Sequence, residues 1–184
     1  MPNPTAVRVA DAALDVLGTG GIHALSHARV DATAGVPPGT TSNHFRTRAA
    51  LVTGAIARLR ELDAADWQTA LAAGRPADLA GFADAFASFV DGATGPLRTR
   101  TVARYVIFVQ GVVEPALLES LNADRQLIVD WAGASLAGLG VPRPAEAARI
   151  LLAGVEGIIM HRLTGFTAAP AGPELRRLVA GLGS

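Results

Sequence analysis

The sequence predicts an all-α protein, on three observations. Period-2 alternation bounded by turns, the mark of a half-buried strand, is absent. Apolar residues recur instead at helical spacing along the chain. Gly and Pro gather in short clusters that divide this pattern into segments of helix length. Half of the 184 residues are hydrophobic and only 5% are aromatic, as in helices rich in Ala and Leu. A chain of this length holds one large domain or two small ones.

Taken in order, Ala6, Val9, Ala10, Ala13, Leu14 and Leu17 form the apolar stripe of a first helix, which Gly18, Gly20 and Gly21 end. Ser26 is placed to N-cap a second helix over 27–34, closed by Gly35. Pro37 and Pro38 open a third, with Pro38 in its first turn. Thr47 caps a long fourth helix that reaches about Ala73, and Gly74, Arg75 and Pro76 break the chain. Further helices fit 77–92, 96–111, 115–138, 144–164 and 173–182. The organisation is three short helices in front, expected as a domain over 1–50, and a larger helical domain over 51–184.

Composition narrows the function. No apolar run reaches the roughly 18 uncharged residues of a membrane span. Arg8, Asp11 and Asp15 near the N-terminus leave no apolar segment for a signal peptide. The absence of Cys excludes disulfides and thiolate metal sites and fits a reducing cytoplasm. All 16 basic residues are Arg, which removes the motifs that depend on Lys, the phosphate-binding loop among them. The net charge of zero hides an asymmetry. Residues 1–60 carry six Arg against three Asp, and residues 61–184 carry ten Arg against thirteen acids. A basic front suits a polyanion.

The stretch "AGVPPGTTSNHF", 34–45, sets five short polar side chains in a row before Phe45. A second helix, a tight turn at Gly35-Val36 and a third helix have the length of a helix-turn-helix. A helix that enters the DNA major groove needs small polar groups to bond base edges and phosphates, and residues 38–44 supply them. Val30, Val36 and Phe45 back this helix against Val9, Ala13 and Leu14, and Arg46 and Arg48 stand where a phosphate path would run.

The run "ALDVLGTGGIHALSHARVDATAGVPPGTTSNHFRTRAALV" resembles the N-terminal DNA-binding domain of the TetR family of bacterial transcription regulators. The family pattern is an apolar helix, a glycine, then Thr-x-x-x-Ile-Ala-x-x-Ala-Gly-Val-Ser-x-Gly-Thr-Leu-Tyr-x-His-Phe-x-x-Lys-x-x-Leu. Ser26, Val30, Ala34, Gly35, Val36, Gly39, Thr40, His44, Phe45 and Leu51 match it, and the likeness covers 6–52. Thr41 replaces the family's Leu, Ser42 its Tyr, Pro37 its Ser and Asp31 its Ala; Ala28 stands where a basic residue is frequent, and Arg48 replaces Lys. Asp31 would repel a phosphate if exposed, and Thr41 is expected half-buried. The resemblance implies DNA contacts at Ser26, His27, Pro38, Thr40, Ser42, Asn43, His44 and Arg48. Asn43 suits a base, since an amide pairs bidentately with adenine; Thr40 suits a base or a phosphate, and His44 and Arg48 suit phosphates.

Eight of nine aromatics follow residue 60. Phe82, Phe86 and Phe89 share one helix face by spacing, and Tyr105 and Phe108 share another. They form either plain core or the lining of an apolar cavity. The resemblance implies a small-molecule effector site, for which the candidates are Trp67, Phe86, Phe89, Arg104, Tyr105, Phe108, Gln110 and Trp131, with Glu114 as a further polar group. The stretch "AARILLAGVEGIIMHRLTG", 147–165, is either buried all round or shared between the body and a partner. With the helix at 115–138 it fits the family's homodimer interface, through Leu121, Ile128, Leu151, Gly154, Val155, Ile158, His161 and Arg162.

No catalytic residue, cofactor or metal is expected. His23 and His27 straddle a turn with no carboxylate to join them, "GASLA" at 133–137 lacks the strand that precedes a nucleophile elbow, and His161 suits an interface. The leading expectation is a dimeric repressor that a small, mostly apolar ligand releases from a palindromic operator. The alternative is a small-molecule-binding helical protein whose DNA-binding head is weakened by Ala28, Pro37, Thr41 and Ser42. A third reading is a dimer that binds DNA without a ligand.

Overall fold

The computed structural model describes residues 3–72 and 74–183. Its helices are α1 (Pro4–Ala24), α2 (His27–Ala34), α3 (Thr40–His44), α4 (Arg48–Ala72), α5 (Leu79–Thr94), α6 (Arg98–Val113), a 3-10 turn (Pro115–Leu117), α7 (Glu119–Gly138), α8 (Pro144–Leu163) and α9 (Ala171–Gly181). The described residues contain no strand, and no helix among them is long and apolar enough to cross a membrane. The fold is all-α, as the apolar periodicity predicts.

Local chemistry sets the boundaries. Ser26 Oγ accepts the Arg29 N–H at 3.3 Å and so caps α2. Thr47 Oγ1 accepts from the Ala50 N–H at 3.0 Å and caps α4. The far end of α4 expected at Ala73 lies outside the described residues. Helices α5, α6 and α9 are each displaced by one or two residues from expectation, and three other boundaries differ for a local reason. The stripe of α1 continues past Gly18 and Gly20, and the helical path breaks at Gly21, whose φ of 73° favours glycine. The segment from Pro115 opens as a 3-10 turn, because the Leu117 and Leu118 N–H groups bond three residues back. Pro38 stands before α3, not in its first turn.

Two compact units emerge. The first comprises the residues up to Gln68 together with Thr99–Asn122. Its core joins Val9, Leu14 and Leu17 of α1, Val30 of α2, Leu51 and Leu59 of α4 and Ile107 of α6. Each side chain of this size stabilises the fold by roughly 1.5–3 kcal/mol when fully buried. The packing unit therefore extends beyond residue 50, since α4 continues the apolar surface under α1. Gly18 lets α6 come close to α1: a β-carbon there would strike the Thr99 backbone. The second unit comprises Thr69–Arg98 and the residues from Ala123 onward. There α5 packs against α8 and α9, around Phe82, Val90, Leu151, Leu175 and Val179.

Candidate nucleic-acid interface

The candidate interface is built by α2, a turn and α3. Gly35 ends α2 in the left-handed conformation, at φ 60° and ψ 40°. Val36 then turns into the core. The Pro37 carbonyl accepts the Thr40 N–H at 3.2 Å, with Pro38 and Gly39 in the middle of the turn. Gly39 at φ 90° and ψ −9° makes this a type II turn. That is why Pro38 precedes the helix: a Pro-Gly pair satisfies the turn, and a residue at φ 90° cannot continue into an α-helix.

The five residues of α3 are far below the length at which a helix is stable alone. Its supports come from α2 and α4. Asp31 is 5% exposed and accepts three hydrogen bonds from the start of α3. The Gly39 N–H donates to Oδ2 at 2.8 Å, and the Thr41 N–H donates to Oδ1 at 2.7 Å. The Thr41 hydroxyl also donates to Oδ1, at 2.5 Å. Burial alone would raise this carboxyl's pKa, but the bonds from Thr41 and Gly39 and the neighbouring His27 outweigh it and hold it below its ordinary value. Asp31 therefore faces no phosphate, and Thr41 is fully buried where the sequence suggested half-burial. At the other end, His27 Nε2 lies 2.6 Å from the Phe45 carbonyl. The Phe45 ring fits against Gly54 of α4, where a β-carbon would overlap it.

The remaining positions that the resemblance implied divide by exposure. Ser42 and Asn43 are exposed, and Thr40 and His44 are partly so. The Thr40 hydroxyl donates to the Pro37 carbonyl at 2.6 Å and the Ser42 hydroxyl to the Gly39 carbonyl at 2.8 Å, which leaves their oxygens able to accept. The Asn43 amide makes no hydrogen bond among the described residues and stands open in both donor and acceptor roles. Pro38 is exposed in the turn, and Ser26 is exposed with its oxygen engaged as the α2 cap. Arg48 is exposed, but its guanidinium turns to the end of α1, where Nη2 donates to the Ile22 carbonyl at 2.6 Å. Arg46 and Arg29 are exposed on the same part of the chain. The implied contacts omitted Arg29, although its charge on α2 could have signalled it.

The body residues are placed as follows. Phe82, Phe86 and Trp131 form a cluster, with Phe82 stacked on Trp131 at 6.0 Å and Phe86 6.3 Å from the same ring. Phe89 is 50% exposed, because the buried face of α5 runs through Ala83, Phe86 and Val90 and leaves Phe89 at its rim. Tyr105 and Phe108 meet edge to face at 6.1 Å in the first unit, where Trp67 is partly buried. Arg104 pairs with Asp63 at 2.5 Å, and Gln110 bonds Glu114 at 2.6 Å. All three expected polar ligand groups, Arg104, Gln110 and Glu114, thus have partners within the chain.

On the expected dimer surface, Leu121, Leu151 and Val155 are buried in the chain's own cores, so they are not surface residues. Gly154 is covered by Leu178 of α9. Arg162 pairs with Asp91 at 2.5 Å, and the exposed His161 ring lies 4.8 Å from that of Phe166. Ile128 and Ile158 are partly buried. The apolar surface of these helices falls instead on Leu127 of α7 and on Ile150 and Met160 of α8, which are 60%, 49% and 38% exposed, and Gly157, on the same face of α8 by spacing, has open space above it. Among the described residues no group of His, Asp and Glu is arranged to hold a metal.

A helix-turn-helix head followed by a wholly helical body defines a class of two-part regulator folds. The chain belongs to the TetR family of transcriptional regulators: the family's tetracyclin repressor-like C-terminal domain matches residues 77–184. It is similar over 96% of its length to 95% of a transcriptional regulator from Rhodococcus sp. Rha1, with a TM-score of 0.78 and 22% identity, a likeness of fold. A TetR family member from Streptomyces coelicolor A3 gives a TM-score of 0.73 and 28% identity, with 99% of each chain covered. The multidrug binding protein EbrR, solved with ethidium, gives 0.68 and 30%, again with 99% of each chain covered. No curated protein sequence matches the chain.

Proposed function

We propose that this regulator is a cytoplasmic homodimer that represses transcription from a palindromic operator and leaves it when a small, mostly apolar ligand binds. One observation carries the DNA reading. The exposed side of α3 offers Ser42 and the open Asn43 amide, on a helix whose inner side is fixed. In this reading residues 1–50 meet DNA and residues 51–184 bind the ligand and the second copy. Asn43 reads a base, Thr40 and Ser42 accept or donate at base edges or phosphates, and Arg29, Arg46 and His44 approach the backbone.

The ligand class follows from the aromatics. EbrR is a multidrug binding protein solved with ethidium, a planar aromatic molecule. The partly buried Tyr105 and Phe108 rings of α6, edge to face in the first unit, give this chain flat apolar surface for a ligand of that kind. A route to the head also exists within the first unit. Asp63 and Asp66 of α4 pair with Arg104 and Arg100 of α6, and the first half of α4 packs under the head. A ligand that favours one position of α6 thereby favours one position of the head, and with it one spacing between the two heads of a dimer. For the dimer we take the α8 face of Ile150, Ala153, Gly157 and Met160, where small residues permit close approach of a second helix.

A second reading is supported by Arg48 and His27. Both are bonded within the chain, so a small-molecule-binding protein with a weakened head is its natural competitor. The deciding experiment is binding of the purified protein to the DNA upstream of its own gene, against scrambled competitor, at about 150 mM salt, where non-specific contacts are weak. Competitor-resistant binding to a palindrome is expected. Binding that is steep in salt and blind to sequence would favour the second reading.

A further inference from the structure

We propose that His27 and Asp31 are positioning residues that clamp α3 from both ends, and that Thr41 is the chain's own counterpart to Asp31. The inference rests on the reading of α3 as the DNA-facing helix. It concerns residues to which the family pattern gives no such role, since that pattern has Ala and Leu where this chain has Asp31 and Thr41.

The geometry is that of a two-point clamp. His27 and Asp31 are four residues apart on α2, so their side chains leave the same face one turn apart. Asp31 takes the Gly39 and Thr41 N–H groups, two donors that a helix start leaves without intrahelical partners. His27 reaches the Phe45 carbonyl at the other end, where acceptors are left over. A carboxylate that accepts from both an amide and a hydroxyl fixes direction as well as distance, because Oδ1 and Oδ2 hold different residues. An apolar Ala and Leu at these positions would pack by contact alone and tolerate small rotations. The clamp instead sets the rotation of α3 about its axis, and so sets where Asn43 points.

Thr41 and Asp31 also depend on each other. Without Asp31, a buried hydroxyl loses its acceptor; without the Thr41 hydroxyl, a buried carboxylate keeps only two of its three donors. Two departures from the family pattern, each unfavourable alone, are therefore one change made in two places.

The test uses the full chain and its Asp31→Ala, Thr41→Leu, His27→Ala and paired Asp31→Ala/Thr41→Leu variants. Amide hydrogen exchange is followed at Thr41, Asn43 and Phe45, with α5 and α9 as internal controls. Affinity is measured for a duplex enriched by the wild-type protein from a random library, and for a scrambled duplex of the same length. Expected for each single variant is exchange in α3 faster by about tenfold or more, unchanged exchange in α5 and α9, and a ratio of enriched to scrambled affinity reduced about tenfold. The paired variant is expected to regain most of that loss, the signature of coupled residues. Wild-type exchange at Thr41 in Asp31→Ala, or a paired variant that merely adds two losses, would overturn the clamp. If the wild-type protein enriches no duplex, the DNA reading fails instead, and exchange still decides whether the clamp exists.

Discussion

Asp31 and Thr41, ten residues apart, share a short buried hydrogen bond of 2.5 Å between the carboxylate and the hydroxyl. The same carboxylate oxygen takes the Thr41 N–H at 2.7 Å. A helix too short to persist alone is thus organised by a side chain of the preceding helix. Its stability must follow the protonation of that side chain. The Asp31 carboxyl titrates below its ordinary value in the folded protein. Its contribution is therefore complete above the usual carboxylate range and is lost as pH falls through the lowered folded value. Asp31→Asn should cost about 2 kcal/mol near pH 7, because one of the two accepting oxygens becomes an NH2 group that faces a backbone N–H instead of accepting from it. Thermal melts of both proteins between pH 7 and pH 3 check the sign. The gap in melting temperature should hold near neutrality and narrow below about pH 4. A gap that widens on acidification would contradict the assignment.

Gly54 on α4 and Phe45 make a second prediction. Ala has the higher helix propensity by about 1 kcal/mol, so Gly54→Ala in a free helix would stabilise. Here the new methyl would overlap the Phe45 ring, which is partly buried and seated on that glycine. The variant should melt lower than wild type and bind its preferred duplex less tightly, since Phe45 closes α3. Higher stability with unchanged binding would mean that the ring moves aside freely.

Much of this arrangement could be read from the residues in order. Ser26, Gly35 and Thr47 act locally, through caps that span three residues or fewer, and they stand where their side chains predict. Pro38 misled because two local rules compete there: proline suits a first helical turn, and a Pro-Gly pair suits a type II turn, which prevailed. The role of Asp31 was not legible, because its partners lie beyond a turn whose path the sequence does not give. The body was hardest. Leu121 on α7, and Leu151, Val155, Ile150 and Met160 on α8, look alike in helices with apolar residues on more than one face, and only packing separates a core side chain from a surface one.

Asn43 and Arg46 should fail in different ways when truncated. Asn43→Ala removes an exposed amide with no partner among the described residues, so it should relax base preference at one position and cost about 1–3 kcal/mol at the preferred duplex. Arg46→Ala should weaken binding to every duplex about equally and lower the salt slope by about one. Arg48→Ala should also lower the melting temperature, since its guanidinium bonds the Ile22 carbonyl. Titrations of the three variants at several salt concentrations, with a melt of each, separate these outcomes. An unchanged base preference in Asn43→Ala would mean that α3 does not read the DNA through that residue.

The dimer gives the last prediction. Ile150 is half-exposed on α8, so Ile150→Glu should leave the fold of the monomer intact. On the face that also carries Ala153, Gly157 and Met160, a second copy would bury that carboxylate without a partner. The variant should sediment as a monomer at micromolar concentration with wild-type circular dichroism. Its affinity for a palindromic duplex should fall by more than tenfold, while its affinity for an isolated half-site should change little, because one head reads one half-site. Gly157→Leu adds an independent check. It fills open space on the same face without adding charge, and should also weaken the dimer by holding the helices apart. Two stable dimers would place the interface on another face of the body, with the head and its clamp unaffected.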